Sequence, residues 1–81
     1  MAVGGGLVSI CKSSGMSRAV RDYMDDYGYF ERADDSFQRG DLDDAANILR
    51  HGLYEACEHT GEDYQFCFEK LQLALGGLMS L

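Results

Sequence analysis

The sequence predicts an all-α fold in which an antiparallel helical hairpin is closed by a third packed helix. Three observations predict it. The chain contains no proline, the residue that breaks helix interiors. Its apolar residues recur at spacings of three and four, the period of a helix face rather than a strand. Residues 33–53, ADDSFQRGDLDDAANILRHGL, place a Gly40-Asp41 turn between two such runs.

The first helix is expected to start after Ser17, a good N-cap, and to run to about residue 39. Its apolar positions are Val20, Tyr23, Tyr27, Phe30, Ala33 and Phe37. Met24 and Tyr29 lie off that stripe and broaden the apolar surface. Gly28 falls inside the run and costs up to about 1 kcal/mol relative to alanine. It signals either close approach by a neighbour or a break into two helices.

Gly40 is placed to terminate the first helix in a left-handed conformation, and Asp41 to cap the second. Asp43 and Asp44 then sit in the first turn, where negative charge complements the helix dipole. The second helix is expected over residues 42–59, with Leu42, Ala45, Ala46, Leu49, Leu53, Ala56 and Cys57 as its stripe. The alanines and Gly52 on this face permit close helix packing. Gly61 ends the element. The third helix starts near Asp63 and runs to about residue 75. Tyr64, Phe68, Leu71, Leu75 and Leu78 form one face, and Phe66, Leu73 and Gly77 another. A helix apolar on two sides is either sandwiched or awaiting a partner.

Residues 1–15 are read as a flexible glycine- and serine-rich arm, and residues 16–81 as a single helical domain. Within the arm, Leu7, Val8 and Ile10 offer a short strand or a segment that packs on a partner. The apolar run 2–11 is too short to span a membrane and lacks the basic start of a signal peptide. Three cysteines, Cys11, Cys57 and Cys67, do not make a disulfide scaffold. They are read as reduced thiols of a cytoplasmic protein. The net charge is −7, from 14 acidic and 7 basic residues. Five arginines lie dispersed among aspartates, so there is no clustered positive patch for a phosphate backbone. Neither nucleic acid nor membrane is expected as a partner.

Residues 29–53 resemble one tetratricopeptide repeat. The residues that carry the resemblance are Tyr29, Ala33, Phe37, the Gly40-Asp41 turn, Ala45 and the later Gly52-Leu53 pair. Arg32 and Ser36 depart from the apolar residues usual in that family, and the closing proline is absent. Only one unit is present, whereas a solenoid needs roughly three or more. The resemblance implies a repeat-like hairpin that binds peptide or protein, without catalysis.

Candidate chemistry is sparse. His51, Glu55 and His59 are spaced four apart on one helix face, a spacing that ligates zinc or another transition metal. Cys57 lies well round the helix from that row, so no four-ligand set assembles within it, and the row reads as a solvated polar face. No metal or cofactor is expected. Asp41, Asp43 and Asp44 lack the alternating ligands and central glycine of a calcium loop. The face carrying Asp22, Asp25, Asp26, Asp34 and Asp35 reads as the wet side of the first helix. Gly4-Gly5-Gly6 is followed by no GK[ST] and is not a phosphate loop. Cys57 and His59 diverge by about 200° on a helix and cannot act together. The chain is therefore read as no enzyme.

Nine aromatic residues exceed what a three-helix core holds, and tyrosines with wet hydroxyls suit interfaces. The expected function is a protein-interaction module: an adaptor, small chaperone or assembly subunit presenting an apolar groove to a partner protein or to a second copy. Its expected contact residues are Tyr23, Tyr27, Tyr29, Phe66, Leu73 and Met79. The alternative is an acidic mimic that blocks a basic site through Asp22, Asp25, Asp26, Asp34 and Asp35.

Overall fold

Three glycines in the left-handed region, Gly28, Gly40 and Gly61, stand where helical runs stop. The computed structural model describes residues 6–77, which form α1 (Gly6–Lys12), α2 (Arg18–Asp26), α3 (Tyr29–Gln38), α4 (Leu42–Thr60) and α5 (Tyr64–Ala74). The fold is all-helical, with five helices among the described residues in place of the three expected. Gly28, at φ 74°, breaks the expected first helix into α2 and α3. Arg32 braces the break by donating from Nη1 to the Tyr27 carbonyl at 2.8 Å.

The break resets the helical phase. An unbroken helix would hold Tyr23, Tyr27 and Phe30 on one stripe. Instead Val20 and Met24 enter the core from α2, and Phe30 and Ala33 enter it from α3. Met24, expected off the stripe, is fully buried, whereas Tyr27 is 60% exposed.

α4 is the spine and packs against α2, α3 and α5. Asp41 caps it by accepting from the Asp44 backbone N–H at 3.2 Å, and Gly61, at φ 80°, closes its far end. Apart from Leu42, its expected stripe is buried. Ser36, also buried, donates from Oγ to Asp44 Oδ2 at 2.5 Å and accepts from Arg39 Nη2 at 3.2 Å. This network ties the end of α3 to the start of α4, and a polar residue at position 36 serves it.

Gly52 lets α3 approach α4. A Cβ there would stand 2.5–2.9 Å from the Tyr29 ring. Gly52→Ala is therefore expected to lower stability by about 1–2 kcal/mol, because overpacking outweighs the roughly 1 kcal/mol gain in helix propensity. The same change in a Tyr29→Ala background removes the obstacle. There it should be neutral or stabilising by up to about 1 kcal/mol in denaturant unfolding.

α1 occupies part of the segment expected to be a flexible arm. Leu7 and Cys11 are buried in the common core, and α1 packs against α3 and α5. The Lys12 carbonyl accepts from Arg21 Nη1 at 2.5 Å, and Lys12 Nζ lies 3.5 Å from Asp25 Oδ2. These contacts fasten its end to α2. Ser17 caps α2 as expected, through the Val20 N–H. Asp63 caps α5 by accepting from the Phe66 N–H at 2.8 Å.

Candidate functional site

The expected contact residues fall on two separate surfaces. The first lies where α2 and α3 meet α4. The Tyr23 ring is 4.5 Å from that of Tyr27 and 4.9 Å from His59, centroid to centroid. Tyr29 lies 6.2 Å from His51 and carries the Arg32 guanidinium 4.6 Å above its ring. Tyrosines from one side and histidines from the other thus interleave. Tyr23 and Tyr29 are half-buried against the core, so only Tyr27 is open among the three. Burial pushes the Tyr23 hydroxyl pKa upward, with Tyr27, Glu55 and Tyr29 adding to it. Tyr29, expected to contact a partner, is instead committed to the seat over Gly52.

The histidine row does not close on a centre. His51 Nε2 stands 3.9 Å from Glu55 Oε2, while His59 turns to Tyr23. Among the described residues no group of three or more His, Cys, Asp or Glu is placed to hold a metal ion.

The second surface is the outer side of α5. Phe66 and Leu73 are separated by two helical turns and so share one side of the helix. Phe66 is 50% exposed and Leu73 79% exposed, while Cys67 and Leu71 on the inner side are fully buried. Lys70 lies between them, its Nζ 5.2 Å from the Phe66 ring centroid. Next to this side the Tyr64 ring stacks on Phe68 at 5.7 Å and meets Tyr54 at 6.3 Å. The two-sided pattern expected for this helix is thus present. Met79 lies outside the described residues.

A third apolar feature escaped the sequence reading. Leu7, Ile10, Phe37, Leu42 and Leu75 line an open groove of about 330 Å³. Ile10, Phe37 and Leu42 are about 40% exposed there. Phe37 and Leu42, expected on core stripes, instead border this groove, and only the docking of α1 brings Ile10 to them.

The acidic face is interrupted. Asp22 lies 3.8 Å from Arg18, and Asp25 pairs with Lys12. Asp34, expected in water, is buried and accepts from Gln38 Nε2 at 3.4 Å. Asp26 and Asp35 are exposed.

The inner side of α5 carries the remaining chemistry. Cys57 of α4 and Cys67 of α5 are both buried in the common core cluster, where the two helices pack together. Burial, reinforced by Cys67 and then by Glu62 and Asp63, pushes the Cys57 thiol up to about 12. Cys11 is also held at about 12, by burial and by the nearby Asp34 carboxylate. Both thiols are protonated near neutrality and are poor nucleophiles. The burial of Cys57 and Cys67 in one cluster is a feature of the fold. Its signal is the placement of one cysteine on each side of the Gly61 turn, facing inward from two antiparallel helices.

No family model, no curated protein and no solved structure matches the chain. Among the described residues no helix is long and apolar enough to cross a membrane.

Proposed function

We propose that the chain is a non-enzymatic protein-interaction module, an adaptor, small chaperone or assembly subunit working in the cytoplasm. It offers the outer side of α5 to a helix of a partner protein or of a second copy. One observation carries the proposal: Phe66 and Leu73 lie exposed on the side of a helix whose opposite side is fully buried. Apolar anchors seven residues apart match the spacing by which helices dock into grooves. Tyr27 supplies a second, more polar contact from the α2 side. The α3–α4 hairpin, with Ala33 and Ala45 buried at its close approach, is consistent with descent from a repeat-type binding unit. The acidic-mimic alternative is less favoured, because cations and the burial of Asp34 interrupt its surface.

Phe66→Asp and Leu73→Asp test the proposal. Both side chains point away from the core, so far-UV circular dichroism should match the parent chain. Each variant should weaken capture of the partner, or self-association measured by light scattering, at least about tenfold, equivalent to about 1.4 kcal/mol. Unchanged association in both variants would show that α5 is not the contact surface.

A further inference from the structure

We infer that α5 pairs antiparallel with the α5 of a second copy of this chain, about a two-fold axis passing between residues 69 and 70. The inference rests on the reading of α5 as the contact surface and names its partner. The outer side of α5 reads Phe66-x-x-Glu69-Lys70-x-x-Leu73. These positions, at i, i+3, i+4 and i+7, share one side of a helix. The pattern complements itself when reversed. Turned end for end about that axis, Phe66 of one copy meets Leu73 of the other, and Glu69 meets Lys70. Each meeting occurs twice, as an isologous contact requires. A parallel pairing instead sets Glu69 on Glu69 and Lys70 on Lys70, which repel.

Both charges are available for this. Among the described residues, no ion pair takes up Glu69 or Lys70 within the chain. The Lys70 stem runs close to Gly15, where an added Cβ would stand 3.2 Å from Cδ, and its Nζ lies over the Phe66 ring. An open groove of about 360 Å³, lined by Phe68, Glu69, Gln72 and Leu73, lies along the same helix. In the antiparallel register the Phe66 ring of the second copy falls beside Leu73, at the mouth of that groove. Burial of Phe66 and Leu73 drives the contact, and the two Glu69–Lys70 pairs set its direction more than its strength. The seam is only a few turns long, so the dimer exchanges with monomer and its population rises with concentration. The net charge of −7 on each copy opposes pairing, and salt screens that repulsion.

The test is sedimentation of the purified full chain from low micromolar to millimolar concentration, at about 0.15 M ionic strength, with circular dichroism checking the fold of each variant. The parent chain should pass from monomer to dimer. Glu69→Lys and Lys70→Glu each turn both ion pairs into like-charge pairs, and each should weaken the dimer about three- to tenfold. The double variant keeps the net charge of −7 and should restore the dimer. An equimolar mixture of the two single variants should also pair, because every charge then meets its opposite. A parent chain that stays monomeric throughout overturns the pairing, and the docking reading of α5 is then decided by Phe66→Asp and Leu73→Asp against a foreign partner. A dimer that Phe66→Asp and Leu73→Asp leave intact overturns both. A dimer that these two variants weaken, but that neither the double variant nor the mixture restores, overturns the antiparallel register alone.

Discussion

Phe30→Ala is expected to lower stability by about 3–5 kcal/mol, the range for emptying a fully buried aromatic site. Phe30 is the bulkiest of the fully buried side chains. It stands near the start of α3, two residues after the Gly28 break, and belongs to the one core cluster that all five helices share. A chain of 81 residues has a total stability of only about 4–12 kcal/mol. The substitution should therefore lower the melting temperature by at least about 12 °C, and in the weaker part of that range leave the chain largely unfolded at 37 °C. Phe37→Ala is the control. Phe37 is 41% exposed, and its loss should cost about 1 kcal/mol. Equal losses at the two positions in denaturant titrations would contradict the phase change at Gly28.

A second large effect is expected in alkali. Cys11 has its thiol pKa raised from 9.0 to about 12 by burial and by Asp34. An acid whose folded pKa lies above its unfolded one stabilises the fold fully below the unfolded value. That stability is lost as pH rises from about 9 toward 12, because the unfolded chain releases its proton first. The contribution of Cys11 reaches at most about 4 kcal/mol across that interval, at up to about 1.4 kcal/mol per pH unit. Cys57 acts in the same direction. Unfolding free energy should be nearly flat in these groups up to pH 8 and fall steeply above pH 9. Cys11→Ala should be somewhat less stable at pH 7 and show a shallower alkaline decline. A decline of equal slope in both chains would mean that the Cys11 thiol titrates no differently in the folded state.

Local signals carried most of the helix ends. Ser17, Asp41 and Asp63 act as the caps their side chains suggested, and Gly40 and Gly61 take the left-handed terminator conformation. The core stripe of α4 was legible for a similar reason, since nineteen residues of regular helix preserve phase from end to end. What escaped was set by contacts distant in sequence. Gly28 admitted two outcomes, and the one realised moved Met24 inward and Tyr27 outward. Residues 6–12 open on Gly6 and carry no strong helix signal, and their place comes from the seats for Leu7 and Cys11. The charge of Asp34 suggests a wet side chain, whereas its burial depends on α1 lying across α3. Of the candidate site, the outer side of α5 was visible as a second apolar period, while Tyr29 was claimed by Gly52, a partner 23 positions away. Cys57 and Cys67 enter one core cluster only through the docking of α5 on α4.

The brevity of α1 has a consequence for how order is distributed in the molecule. Seven residues fall below the length at which a helix sustains itself in water. Its backbone bonds therefore persist only while Leu7 and Cys11 stay seated. Such a segment opens and closes as a unit at a free energy well below that of global unfolding. The interior of α4, enclosed by three neighbours, opens only when the whole chain does. The protein thus has two tiers of cooperativity, an inner one built around α4 and an outer one that begins at its first turn of helix.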